Sequence, residues 1–420
     1  MYNYNICPKR HIFCVDQKSF FASVSCILKG LDPKTTKLAV VADTKSLGAV
    51  VLAATAELKK LGIKTGSRLF EIPQRKDIYI INPSMKTYLD YSAKITEIAL
   101  KYVAPEDFHQ YSVDEFFMDV TESWHLFAGT PEALAIKLKN EIYDETAIEC
   151  AVGIGDNLLL SKLSLDIEAK KTEAGIAEWR YHDVPDKLWP IKPLRDFWGI
   201  SRRSEVKLNE RGIFKIGDLA RYSPVYLKRD FGIIGVDWHL HANGIDSSRI
   251  REKHTVHSPS ICKSQILMRD YGFREIYVVV LEQVDEVTHR LRLSGRLAKT
   301  VQIAAGTKDG YIYRKQFTIP AGTNNSNRVM KGIWNILKSI ADPRALYRTI
   351  SVTLTNFIPD SVSQMSLFED VGALRRQESL MKTVDDLKVR YGQLSVMRAL
   401  SCTEASTLKL RDGLIAGHKR

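Results

Sequence analysis

Apolar positions along the chain change their period several times, and each change marks an element. The short run from His11 to Val15 is apolar and partly β-branched and stops at Asp16, which predicts a buried strand. Phe20, Val24 and Ile27 then fall on one helical face, predicting a helix over 19–28. Strands are expected over 38–43 and 49–53, a short helix over 56–61 stopped by Gly62, and a strand over 77–82. Pro83-Ser84 opens a helix to about 103, with Tyr88, Ile95, Ile98 and Tyr102 at helical spacing. Residues 107–120 read as a hairpin interrupted at Ser112, Val113, Asp114 and Glu115. Thr130-Pro131 pairs an N-cap with proline at the first helical position and starts a helix to about 143. Glu149 to Gly155 is the next strand, and Asp156 is expected to cap a helix reaching Lys170. Strands alternating with helices, one hairpin among them, predict an α/β (α+β) sheet covered by helices.

Residues 171–245 change character: helical patterns dominate, punctuated by Pro185, Pro190, Pro193 and Pro224. Gly199-Ile200, Leu208, Gly212-Ile213 and Ile216-Gly217 suit two short helices around a glycine turn, a helix-hairpin-helix-like element able to aim backbone N–H groups at phosphates. Residues 246–255 are polar and charged and read as a linker. An extended segment near 258–268, a helix over 275–293, strands over 300–305 and 311–319, a helix over 327–340 and a strand over 347–357 give a βαββαβ pattern, a second small domain. Gln364, Met365, Ser366, Leu367 and Phe368 follow in a tail whose one expected helix covers 373–391.

Charge sharpens this division. The 420 residues carry 61 Lys and Arg against 49 Asp and Glu, a formal net charge of +12. Residues 1–170 hold 20 basic and 22 acidic side chains, so the excess lies in 171–420, with 41 and 27. An acidic half joined to a basic half suggests a carboxylate-bearing catalytic region and a polyanion-gripping one, nucleic acid first. Arg290 and Arg292 fall on the expected helix of the second domain, Arg296 just beyond it, and Arg314, Lys315 and Arg348 on its expected strands. No apolar run is long enough to span a bilayer, and the polar start followed by Asp16 and Lys18 does not suit a secretory signal. The six cysteines form no CxxC pair and suit reduced, mostly buried cytosolic thiols; His239 and His241 lack cysteine partners and read as surface or packing residues.

Asp16 ends one expected strand, and Asp114 and Glu115 lie at a hairpin about a hundred residues later. Carboxylates at the ends of buried strands are costly unless neutralised, either as turn caps at the sheet edge or by two divalent cations. Oxygen ligands select Mg²⁺, or Mn²⁺, over zinc. Of the adjacent Phe20 and Phe21, one can be core while the other lines the cleft. Lys59, Lys60, Lys64, Lys170 and Lys171 could meet triphosphate oxygens as point charges.

Three segments in register resemble the motifs of Y-family (translesion) DNA polymerases. VDQKSFFASV from Val15 to Val24 resembles the first, and SVDEFFMDVT from Ser112 to Thr121 the second. The third is matched by residues 151–157, Ser161-Lys162 and Ala169-Lys170-Lys171. Order and spacing match over about residues 10–360, and ATAELKKLGIKTG from Ala54 to Gly66 is nearer the UmuC-like branch than the DinB-like one.

The resemblance implies a right-hand polymerase. Its ferredoxin-like palm would be 1–30 and 77–170, small fingers 31–76, a helical thumb 171–245, a βαββαβ little finger 256–358, and a tail 359–420. It implies template-directed, error-prone translesion synthesis in DNA damage tolerance and SOS mutagenesis, in the cytoplasm at the nucleoid. Asp16 and Asp114 would bind two Mg²⁺ ions with the backbone carbonyl of Gln17, and Glu115 would complete the site on the primer side. Phe21 matches the steric gate that rejects ribonucleotides; Lys59 and Lys170 match triphosphate-binding residues, while Ala56 stands where many relatives carry a phosphate-contacting tyrosine. Residues 364–368 resemble the peptide that docks on the sliding clamp. Primer-template DNA, dNTPs and a UmuD-like or recombinase partner are implied for a monomer. Open alternatives are another two-metal palm enzyme, a cyclase or nuclease, and a non-catalytic DNA-binding accessory protein.

Overall fold

The structure is a computed structural model that describes residues 2–252, 255–361, 370–415 and 417–419. The chain divides into two compact units, 1–253 with the last three residues and 254–417. The segment 364–368, expected to dock on a clamp, lies outside the described residues.

The first unit is built on a five-stranded sheet. Strands β1 (Ile12–Gln17), β5 (Phe108–Gln110), β6 (Glu115–Asp119), β7 (Cys150–Gly155) and β8 (Ile176–Trp179) lie in the order β5-β6-β1-β7-β8. β1 runs antiparallel to both β6 and β7, the arrangement of a ferredoxin-like βαββαβ unit; β8 is added parallel to β7. Ile12, Phe13, Cys14 and Val15 are all fully buried, which explains why β1 reads as an unbroken apolar run rather than an alternating one.

Between β1 and β5 the chain makes α1 (Phe20–Leu28), β2 (Lys37–Val41), β3 (Val51–Ala54), α2 (Ala56–Lys59), β4 (Ile78–Ile81) and α3 (Met85–Ala99). β2, β3 and β4 form a separate three-stranded sheet in the order β3-β2-β4, onto which α1 packs Ala22 and Cys26 against Leu38 and Val40. α4 (Pro131–Thr146) starts as expected, with the Thr130 hydroxyl accepting the Ala133 N–H at 3.1 Å.

The next helix corrects the sequence reading. Its cap is Asn157, whose side-chain oxygen accepts the Leu160 N–H at 2.9 Å; Asp156 instead accepts from the Arg180 guanidinium and the Tyr181 N–H, at 2.9 and 2.7 Å. Nor does one regular helix reach Lys170. α5 (Leu158–Leu163) passes into a wider π turn over Ser164–Glu168 and a final 3₁₀ turn over Ala169–Lys171. Two glycines of β7 let this segment lie against the sheet: a Cβ at Gly153 would stand 2.1 Å from the Ser161 carbonyl oxygen, and one at Gly155 would stand 2.3 Å from the Ser161 nitrogen.

Residues beyond β8 form α6 (Arg202–Asn209), α7 (Ile216–Arg221), α8 (Pro224–Phe231) and α9 (Ile233–Ala242). Gly212, at φ 76°, makes the turn between α6 and α7. Start of the expected linker is tied down: Asp246 accepts the Leu159 N–H at 3.2 Å, and Arg251 pairs with Asp107 at 2.5 Å. Of the cysteines, Cys14, Cys26 and Cys150 are buried and Cys262 and Cys402 exposed, so burial holds for half of them. His239 is a packing residue, within 3.1 Å of the Tyr2 hydroxyl. Among the described residues no helix is long and apolar enough to cross a membrane.

The second unit follows the expected βαββαβ order: β9 (Ser260–Tyr271), α10 (Phe273–Leu293), β10 (Arg296–Thr307), β11 (Ile312–Thr323), α11 (Ser326–Ile340) and β12 (Tyr347–Pro359). Its four strands are antiparallel in the order β11-β10-β12-β9, with a core of Val280, Val284, Ile303, Ile333 and Val352 between sheet and helices. α12 (Val371–Tyr391) then packs back on α10. Asp385, 5 % exposed, accepts from His289 at 2.8 Å and Arg292 at 2.6 Å.

Candidate active site

The antiparallel register of β1 and β6 sets Asp16 directly opposite Glu115, and the Gln17 N–H donates to the Asp114 carbonyl at 2.9 Å. Three acids split between residues 16 and 114–115 therefore meet at one end of two central strands. Asp114 is half-buried and its carboxylate accepts the Ser112 hydroxyl at 2.8 Å. Glu115 is 6 % exposed and is gripped from below by Lys162 at 2.7 Å, with the Cys14 thiol donating at 3.1 Å. Asp16 accepts from Lys170 at 3.0 Å.

Burial pushes the Asp16 carboxyl up to about 6; Lys170 opposes this, and the charges of Asp114 and Glu115 add to it. Lys162 is pulled down by burial, but the surrounding Cys14, Glu115 and Asp166 outweigh that and hold it above the ordinary lysine range. For Lys170 burial again opposes, while Asp16 and Asp166 raise it. Both lysines belong to the segment that the β7 glycines admit against the sheet.

The remaining expected residues cluster at the start of α1. Phe20 is core, whereas Phe21 is half-buried and stacks on Tyr88 with ring centroids 4.3 Å apart and planes within 10°. Tyr88 is 1 % exposed and its hydroxyl lies 2.9 Å from that of Ser25, so the ring beneath Phe21 is fixed. Ser19 takes a left-handed conformation, φ 49° and ψ 42°, to turn the chain from β1 into α1. Its hydroxyl accepts from Lys59 at 2.9 Å, which brings that lysine to the site; burial lowers the Lys59 pKa and Asp16 raises it. Ala56 is exposed and offers no hydroxyl. Lys60 instead pairs with Glu57 at 2.5 Å, and Lys64 and Lys171 are exposed. Gln17 is buried with no side-chain partner for either its Oε1 or its Nε2.

Two residues given no role from the sequence hold this site: Lys162, which entered only as part of the third matched segment, and Asp166. Asp166 accepts from Lys162 at 3.0 Å and from Lys170 at 2.8 Å. Their spacing of four along the chain, Lys162, Asp166 and Lys170, was the available signal, since side chains four apart share a helix face.

Among the described residues no group of three His, Cys, Asp or Glu side chains is arranged to hold a metal ion; Glu115 is paired with Lys162 and Asp16 with Lys170. The donor chemistry nevertheless fits a hard divalent cation. Three carboxylates share one strand end, and burial leaves Asp16 short of positive charge. Lys170, about a third exposed, is the group that has to yield.

Comparison with known proteins agrees with this geometry. The impB/mucB/samB family matches residues 15–166, and the C-terminal domain of the same family matches 258–367. The chain is 42 % identical over its whole length, and the whole of the relative, to UvrX of Bacillus subtilis, a protein provisionally assigned to UV-damage repair. It is 33 % identical to DNA polymerase IV of Pelotomaculum thermopropionicum and 33 % identical to DNA polymerase IV 2 of Bacillus subtilis; each alignment covers 97 % of this chain and 98 % of the relative. A solved Y-family DNA polymerase chimera shares the fold, with a TM-score of 0.65, 23 % identity, and coverage of 83 % of this chain and 99 % of that one. The sheet order of the first unit, the acids in register on β1 and β6 and the full-length similarity agree: the chain belongs to the impB/mucB/samB family, the Y-family DNA polymerases.

Proposed function

We propose that this chain extends a DNA primer by template-directed addition of dNTPs, with Mg²⁺ held by Asp16, Asp114 and Glu115 and by the backbone carbonyl of Gln17. The observation that carries the reading is the pairing of Asp16 with Glu115 across β1 and β6, with Asp114 beside them. When bound, such cations lower the pKa of a primer 3′-hydroxyl and stabilise a leaving pyrophosphate. Asp16 and Asp114 supply negative charge at the reacting end, and Lys59 and Lys170 supply positive charge for the triphosphate. In this reading Phe21, stacked on the fixed Tyr88 ring, is the steric gate that rejects a ribose 2′-hydroxyl and so selects deoxyribonucleotides. Positioning and electrostatics do the chemistry; no protein nucleophile is needed.

In this reading the palm is 1–30 and 77–170, the fingers 31–76, the thumb 171–245 and the little finger 256–358, although β4 pairs with β2 of the fingers sheet and β8 with β7 of the palm sheet. A small fingers lobe encloses a nascent base pair loosely, which suits synthesis across damaged templates and a role in DNA damage tolerance and SOS mutagenesis. Residues 364–368 dock the enzyme on a sliding clamp, and the work is done in the cytoplasm at the nucleoid. Family membership favours this function over a cyclase, a nuclease or a non-catalytic accessory protein. The test is primer extension on an intact template and across an abasic site. Template-dependent dNTP addition is expected on both, and no extension on any primed template with Mg²⁺ or Mn²⁺ would defeat the proposal.

A further inference from the structure

One carboxylate joins the two halves of the site. Glu115, Lys162, Asp166, Lys170 and Asp16 form an unbroken chain of alternating charge, with successive separations of 2.7, 3.0, 2.8 and 3.0 Å. Only Asp166 in this chain stands off the β1 and β6 strands as an acid, and it alone touches both lysines. The π turn over Ser164–Glu168 carries it, a local widening of the helix of the kind found at functional sites. Lys162 is only 8 % exposed at its side chain and is clamped from both sides, so its ammonium has no solvent to fall back on.

We propose that Asp166 is a positioning residue that keeps Lys162 on Glu115 and retains Lys170 in the site when Lys170 gives up Asp16 to a divalent cation. This rests on the polymerase reading for its kinetic consequence only. Lys170 has two anions in the structure as it stands. Once Asp16 turns to a cation, Asp166 remains as its second anchor, and the ammonium stays within reach of an incoming triphosphate. Without Asp166 the same cation would have to displace Lys170 into water, so both cation and dNTP would bind more weakly.

The experiment uses the full-length chain and Ca²⁺ as a non-catalytic probe, without DNA or nucleotide. The Ca²⁺ concentration giving half of the maximal thermal shift is expected to be about fivefold higher in Asp166→Asn than in the wild type. Asp166→Glu, which restores the carboxylate, is expected to return it towards the wild-type value. Equal half-saturation in the wild type and Asp166→Asn would overturn the proposal. In primer extension, Asp166→Asn is expected to raise the dNTP KM about fivefold with little change in kcat; a loss confined to kcat would also overturn it. Absence of extension by the wild type would instead defeat the polymerase reading and leave the Ca²⁺ comparison to decide this one. Should Asp166→Asn fail to fold, nitrogen-15 spectra of the wild-type lysine ammonium groups decide. The protected Lys170 signal is expected to survive saturating Ca²⁺, and its disappearance would refute a retained anchor.

Discussion

Replacing Asp16 by asparagine should make the cation-free protein more stable while destroying its activity. Asp16 is mostly buried, and burial lifts its carboxyl from 3.8 to about 6 despite the ion pair with Lys170. Each pH unit of such a shift corresponds to about 1.4 kcal/mol, so the ionised carboxylate costs the native state about 3 kcal/mol at neutral pH. The folded state binds the Asp16 proton more tightly than the unfolded chain does. Stability therefore falls as pH rises from about 4 to about 6 and stays low above that. Asp16→Asn removes the charge with little change of shape, and Lys170 keeps Asp166 as a partner. At pH 7.5 in EDTA, the first unit's melting temperature is expected to rise by roughly 6–10 °C, the shift that about 3 kcal/mol gives a domain of this size. At pH 4 the two proteins should melt within a degree or two of each other. Adding Mg²⁺ should raise the wild-type melting temperature and leave that of Asp16→Asn nearly unchanged. Differential scanning calorimetry reads all of this. A melting temperature for Asp16→Asn equal to or below that of the wild type at pH 7.5 would refute the argument that burial holds this carboxylate in a costly state.

Phe21→Ala should raise the ratio of ribonucleotide to deoxyribonucleotide insertion by at least about tenfold, measured by single-nucleotide incorporation; an unchanged ratio would remove Phe21 from the gate. Gly153→Ala puts a methyl group 2.1 Å from the Ser161 carbonyl and 2.5 Å from the Leu165 nitrogen, so α5 must retreat. It should destabilise the first unit by about 1–3 kcal/mol; unaltered urea unfolding would contradict the close approach. Gln364→Ala with Phe368→Ala should abolish retention on an immobilised sliding clamp while sparing distributive synthesis on short templates, and retained binding would dismiss the peptide.

What could be read from the chain follows how local each feature is. β1, β6 and β7 announce themselves because burial on both faces makes them continuous apolar runs, and Asp16, Asp114 and Glu115 stand out as carboxylates interrupting that pattern. The order of the second unit was legible because each of its strands and helices carries its own period. Competition between residues was harder to see. Asp156 and Asn157 are both good caps, and the Asp156 carboxylate is taken instead by the Arg180 guanidinium and the Tyr181 N–H, 24 and 25 residues later. β8 was missed because Ile176–Trp179 is four residues long and gains its strand character from parallel pairing with β7. The roles of Lys162 and Asp166 depend on two glycines that let a helix settle under the sheet, a tertiary fact with only a spacing of four to hint at it. Likewise, nothing local to Asp385 shows that α12 folds back on α10; that contact exists because Arg292 and His289 present paired donors almost a hundred residues earlier.

The central claim is that Asp16, Asp114 and Glu115 together hold the cations at which a nucleotide is joined to a primer. Single-turnover insertion of one correct dNTP, followed across a Mg²⁺ titration for the wild type and Asp114→Ala on the same primer-template, tests it most directly. A fall of at least about a hundredfold in the insertion rate, with primer-template affinity unchanged and no recovery at high Mg²⁺, is the predicted result. Insertion by Asp114→Ala at close to the wild-type rate would contradict it.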